Sequence, residues 1–174
     1  AANEMKERIA SIVGYDKARY LYMGTFHSVF ARILRGEASC LGFSSNFTIY
    51  DESDSRSLLK TIVKEMKLDD KVYKPATVHK KISLAKNRLI LPDDYARKTS
   101  LLEQDKRDNM PRLTDIYNNY NQRCRKANAM DFDDLLVQTY ILFSRHQEVC
   151  EKYAQRFDFI LVDEYQDTNY VQQR

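Results

Sequence analysis

The run Phe157-Asp158-Phe159-Ile160-Leu161-Val162, leading straight into Asp163-Glu164, limits the folds open to this chain more than any other stretch. Apolar, partly β-branched residues in a row predict a strand buried on both faces, as in parallel sheets covered by helices. Such a strand delivers its terminal acids to the carboxyl edge of the sheet, where open α/β folds place their ligands. In nucleotide-hydrolysing folds the Asp of such a pair holds magnesium and the Glu orients the attacking water.

A second strand is predicted at Tyr20-Leu21-Tyr22-Met23, running into Gly24-Thr25-Phe26-His27-Ser28. Two strands are too few for a stable sheet. The residues between them carry helical periodicity apart from a brief extended piece at Phe47–Tyr50. The expected layout is therefore a parallel sheet interrupted by a helical insertion.

Helices are expected over Asn3–Val13 and Val29–Leu34, the second ended by Gly36. Asp51 reads as an N-cap with Asp54 three positions on, opening a helix that buries Leu58, Leu59, Ile62, Val63 and Met66. Pro75 suits the first position of the next helix. There Val78, Ile82, Ala85 and Leu89 form the inner stripe while Lys80, Lys81 and Lys86 project elsewhere, until Pro92-Asp93-Asp94 breaks the pattern. Pro111 starts a helix with Leu113, Ile116, Tyr117, Tyr120 and Cys124 on one side. Met130-Asp131-Phe132-Asp133-Asp134 opens another with acids in its first turn, where they complement the helix dipole. A further helix through Val149 and Tyr153 leads to the terminal strand.

Charge is unevenly spread. Between Lys71 and Arg88 lie Lys74, Lys80, Lys81 and Lys86, with His79 among them and no acid; Asp131 to Asp167 is mostly acidic. The basic run suits a polyanion such as DNA, or is a solvated helix face. Asp131, Asp133 and Asp134 suit a helix start, with a metal-dependent nuclease as the lesser reading. The three cysteines, Cys40, Cys124 and Cys150, lack C-x-x-C spacing and fit a reducing cytoplasm. No apolar run approaches the roughly 20 residues of a membrane span.

Phosphate chemistry also needs G-x-x-x-x-G-K-[ST], whose backbone N–H groups and lysine cradle the phosphates. None of the four glycines, Gly14, Gly24, Gly36 and Gly42, is followed by lysine. The chain thus offers half of a nucleotide site and is expected neither to bind nor to hydrolyse ATP well alone.

The string Asp163-Glu164-Tyr165-Gln166-Asp167-Thr168-Asn169 resembles the second motif of superfamily 1 DNA helicases of the UvrD/Rep/PcrA type. Gly24-Thr25-Phe26-His27-Ser28 resembles the family motif that touches the DNA backbone, and Asp131-Phe132-Asp133-Asp134-Leu135-Leu136 the segment returning to the motor subdomain. The N-terminal Ala1-Ala2-Asn3-Glu4-Met5 resembles the helix after motif Ia, so the chain reads as an excised piece. The resemblance implies an α/β, predominantly helical chain: part of a P-loop NTPase-type motor subdomain 1A with helical subdomain 1B inserted. The implied boundaries are 1–41 for the first part of 1A, 42–128 for 1B and 129–174 for the return to 1A.

By the same resemblance, Asp163 would bind Mg²⁺ and Glu164 would polarise the hydrolytic water. Gln166 and Asp167 would couple the ATP site to its neighbours. Thr25, His27 and Ser28 would contact DNA, although Thr25 and Ser28 also suit a plain helix cap. Lys80, Lys81 and Lys86 are candidate phosphate contacts. The parent would use ATP and Mg²⁺ to move 3′ to 5′ on single-stranded DNA and unwind duplex, with the remaining helicase domains as partners. The alternative is a non-enzymatic helical nucleic-acid-binding module.

Overall fold

The computed structural model describes residues 2–174. In chain order the elements are α1 (Ala2–Val13), α2 (Tyr15–Ala18), α3 (Phe26–Glu37), β1 (Thr48–Tyr50), α4 (Glu52–Glu65), α5 (Pro75–Lys86) and α6 (Pro92–Arg97). There follow α7 (Thr99–Arg107), α8 (Leu113–Lys126), β2 (Ala129–Asp131), α9 (Phe132–Arg145), α10 (Gln147–Arg156) and α11 (Tyr170–Gln173). Single 3₁₀ turns cover Ala38–Leu41 and Tyr165–Asp167. The chain is mostly helical.

Local chemistry fixes the helix starts. Asp51 and Asp131 each close a full capping box, with Asp54 and Asp134 as the reciprocal partners. Pro75 occupies the first turn of α5, where its missing N–H costs nothing. Pro92 does the same for α6, so it starts a helix rather than merely breaking one.

Two apolar cores result. Leu59, Ile62, Val63, Val78, Ile82, Leu113, Ile116, Tyr117 and Tyr120, from α4, α5 and α8, build the first. Ile33, Leu34, Phe47, Met130, Leu135, Leu142, Val149 and Tyr153 build the second around α3, α9 and α10. At their junction β1 and β2 pair in parallel, Thr48 with Ala129, Ile49 with Met130 and Tyr50 with Asp131.

That sheet is not the expected one. Neither Tyr20–Met23 nor Phe157–Val162 forms a strand, because neither pairs with another strand. Phe159, Ile160 and Leu161 are 87%, 78% and 95% exposed. Two other departures are local. Gly36 lies inside α3, whose helix runs to Glu37. Leu89 is left-handed at φ 55°, so Ile90 takes the buried place given to Leu89 on the stripe. Among the described residues no helix is long and apolar enough to cross a membrane.

Candidate functional site

Thr25 caps α3: its Oγ1 accepts from the Ser28 N–H at 3.2 Å, and the Ser28 hydroxyl donates to the Thr25 carbonyl at 2.9 Å. Gly24 lets this turn close, since a Cβ there would lie 2.2 Å from Ser28 Oγ. Thr25 and Ser28 are exposed at the N-terminus of the helix, where free N–H groups favour an anion. His27 is half-buried with its ring edge-on to Phe132, centroids 5.6 Å apart. Burial lowers the His27 pKa, and the opposing charge of Asp133 does not offset it.

Every residue from Asp163 to Asp167 is exposed. Asp163 Oδ1 accepts from the Glu164 N–H at 2.9 Å, which turns the carboxylate back over the chain. Glu164 is left-handed, φ 51° and ψ 43°, and its carbonyl accepts from the Asp167 N–H at 2.8 Å. Gln166 Nε2 donates to the Glu164 carboxylate. A non-glycine residue in this region is uncommon and clusters at functional turns. Asn169 then caps α11 through a capping box with Gln172.

Among the described residues no three His, Cys, Asp or Glu side chains converge as a metal cage. Magnesium does not need one. It keeps several waters and takes one or two carboxylates plus nucleotide phosphates. The exposed, hard oxygens of Asp163 fit that requirement.

The three lysines of α5 part company. Lys80 is exposed, on a groove of about 620 Å³ between α4 and α5 shared with Arg56, Thr77, His79 and Ser83. Lys81 is half-buried and bonds Asp105 at 3.0 Å and Asp108 at 2.6 Å. Lys86 is 1% exposed and sits 2.7 Å from both Asp131 and Asp134. The expectation that Lys86 projects outward to DNA phosphate is therefore wrong, and Lys81 is committed to its acids. A long side chain on the inner face of a helix buries its charge only when matching carboxylates wait there, and β2 and α9 supply them.

A polar seam missed by the sequence reading surrounds Lys86. Tyr120 hydroxyl donates to Asp131 at 2.8 Å and bonds Ser55 Oγ at 2.9 Å. Next along the chain, Asn87 Nδ2 donates to Asp133 Oδ1 at 2.8 Å, and Asn87 Oδ1 accepts from Asn169 Nδ2 at 2.6 Å. Asp131, Asp133 and Asp134 are thus the start of α9 and not a nuclease centre. The one sequence signal for the seam was Tyr120, a core position whose hydroxyl had to find a partner.

The UvrD/REP helicase N-terminal domain family matches residues 1–174. ATP-dependent DNA helicase UvrD1 of Mycobacterium tuberculosis is 43% identical over 173 residues, 99% of this chain and 22% of that protein. ATP-dependent DNA helicase PcrA of Staphylococcus aureus is 41% identical over 172 residues, 99% of this chain and 23% of that protein. PcrA of Leuconostoc citreum is 38% identical over 172 residues, covering 99% and 22%. The chain spans less than a quarter of the length of these curated relatives.

Proposed function

The chain belongs to the UvrD/REP helicase N-terminal domain family, and from that premise we propose that it is a section of an ATP-dependent DNA helicase that moves 3′ to 5′ on single-stranded DNA. The carrying observation is the order Asp163-Glu164-Tyr165-Gln166-Asp167-Thr168-Asn169 on an exposed turn, within a chain similar along its whole length to ATP-dependent DNA helicases. Residues 1–41 and 129–174 would belong to motor subdomain 1A and 42–128 to helical subdomain 1B. The remaining domains of the parent complete the machine, which works in the cytoplasm.

Asp163 would hold Mg²⁺, which when bound neutralises charge on the nucleotide phosphates. Glu164, beside it and free of any cation partner among the described residues, would accept a proton from the attacking water. Gln166, already bonded to Glu164, would hold that carboxylate in place, with Asp167 closing the turn. Thr25, His27 and Ser28 would meet the DNA backbone at the start of α3. In the helical part the exposed Lys80 takes over the role first given to three lysines.

In the complete protein, Glu164→Gln should abolish ATP turnover while DNA binding survives. Retained turnover would remove Glu164 from the chemistry. The 174-residue chain alone, which has no phosphate loop, should show no tight Mg-ATP binding by calorimetry. The second reading is a non-enzymatic helical nucleic-acid-binding module, which a complete protein inert towards ATP would establish.

A further inference from the structure

Asn87 joins two distant segments through its side-chain amide. It lies directly after α5 and its amide serves both sides of the molecule: Nδ2 donates to Asp133 on α9, and Oδ1 accepts from Asn169. A third bond, from Nδ2 to the Ser83 carbonyl at 2.9 Å, fixes the amide to its own helix. An amide offers a donor and an acceptor on one side chain, which an apolar residue, or a carboxylate facing an unchanged Asp133, does not.

Each neighbour leads to a candidate site. Asp133 follows Phe132, whose ring meets His27, and the Asp133 charge acts on His27 in the Thr25–Ser28 turn. Asn169 is the cap of α11, two residues beyond Asp167; its own Oδ1 accepts from the Gln172 N–H at 3.0 Å and its N–H donates to Gln172 at 2.9 Å. Asn87 itself cannot drift, because Lys86 beside it is locked between Asp131 and Asp134. A polar path from the Thr25–Ser28 turn to the segment ending in Asn169 thus runs through the Asn87 side chain.

We propose that Asn87 is a positioning residue that joins the Thr25–Ser28 turn to the Asp163–Asp167 segment through Asp133 and Asn169, so that DNA at the first sets the rate of ATP hydrolysis at the second. The inference rests on the helicase reading above. It assigns Asn87 no contact with nucleotide or DNA. Its removal therefore separates the two activities and leaves each one standing.

The test uses the complete protein and reads kcat for ATP with and without saturating single-stranded DNA. Asn87→Asp sets a carboxylate against Asp133 and breaks the link. The DNA stimulation of kcat should fall by about tenfold, while the DNA-free kcat and the DNA Kd stay within about twofold, within the usual span of coupling between sites. Exchanging the pair, Asn87→Asp with Asp133→Asn, restores a donor facing an acceptor across the link to α9 while giving up the Ser83 bond, and should recover part of the stimulation. A merely structural role would lower the melting temperature and both rates together. If Asn87→Asp lowers the melting temperature, Asn87→Ala, which adds no charge, carries the same expectation. Undiminished stimulation in a folded variant, or an exchange that recovers nothing, overturns the inference alone. A wild-type protein whose ATP turnover ignores DNA overturns the helicase reading with it.

Discussion

Lys86 Nζ stands 2.7 Å from Asp131 Oδ2 in the interior, and this contact joins by charge two cores that apolar packing builds separately. Lys86 ends α5 in the first core, while Asp131 closes β2 and caps α9 in the second. Asp134 adds a second carboxylate at 2.7 Å, and the Tyr120 hydroxyl a further donor. Burial alone would strip the charge from Lys86, but the two acids outweigh it and hold the ammonium well above its ordinary range. Two carboxylates thus share one cation.

Removing the cation should be costly. Lys86→Ala leaves both acids buried without compensation, and the loss of stability should be about 3–5 kcal/mol. Lys80→Ala, on the exposed side of the same helix, should stay within about 0.5 kcal/mol. Urea denaturation of the two variants checks this. Equal, small effects would mean that water reaches the Lys86 site and solvates the acids.

The shared cation also sets a pH dependence. Burial, then the Asp131 charge, pushes the Asp134 pKa up from 3.8 to about 6 despite Lys86. A folded-state pKa above the unfolded one means the folded protein binds that proton more tightly. Its contribution to stability is full below pH 3.8 and is lost as pH rises through about 6. Asp131 works the opposite way: burial pushes it up, but the charge and hydrogen bond of Lys86 hold it below 3.8, so its contribution is lost only at lower pH. Asp134→Asn should therefore flatten the decline in melting temperature between pH 4 and 6. An unchanged slope would place the titration on another group.

The elements that explain themselves locally were legible in the sequence. Asp51 with Asp54, Pro75, and the Leu113, Ile116, Tyr117, Tyr120 and Cys124 stripe all lie where capping rules and helical spacing put them. What failed depends on distant partners. Phe159, Ile160 and Leu161 have strand composition, but a strand exists only against another strand, and none meets them. Thr48–Tyr50 and Ala129–Asp131 form a sheet because chain segments about eighty residues apart in sequence converge, which no local pattern announces. Lys86 was placed outward for a similar reason: its partners lie 45 and 48 positions away. At the candidate site the order of Asp163–Asn169 was legible, whereas the amide link of Asn87 to Asp133 and Asn169 was not.

DNA binding should separate the α5 lysines. Lys80 is exposed beside Arg56 and His79, so Lys80→Ala should reduce the slope of log affinity against log salt by about one unit. Lys81→Ala removes an ammonium already held by Asp105 and Asp108 and should change the slope less. Fluorescence anisotropy with a 3′-tailed duplex at several salt concentrations measures both. A full unit lost on Lys81→Ala would show that its ion pairs open to admit phosphate.

The end of α4 offers a stabilising change. Leu68 N–H donates to the Val63 carbonyl at 3.1 Å and Lys67 N–H to the Lys64 carbonyl at 3.0 Å, the paired bonds of a Schellman ending. That ending needs a left-handed residue, and Lys67 fills it at φ 53° with its side chain exposed. A Cβ in this region costs about 1–2 kcal/mol. Glycine escapes the cost but gains freedom in the unfolded chain, which returns about 0.4–1 kcal/mol of it. Lys67→Gly should therefore raise stability by roughly 0.5–1 kcal/mol, seen as a higher urea midpoint at unchanged slope. Lys67→Ala keeps the Cβ and should gain nothing. A Lys67→Gly variant weaker than the Ala one would show that the lysine stem packs along α4 and holds the ending closed.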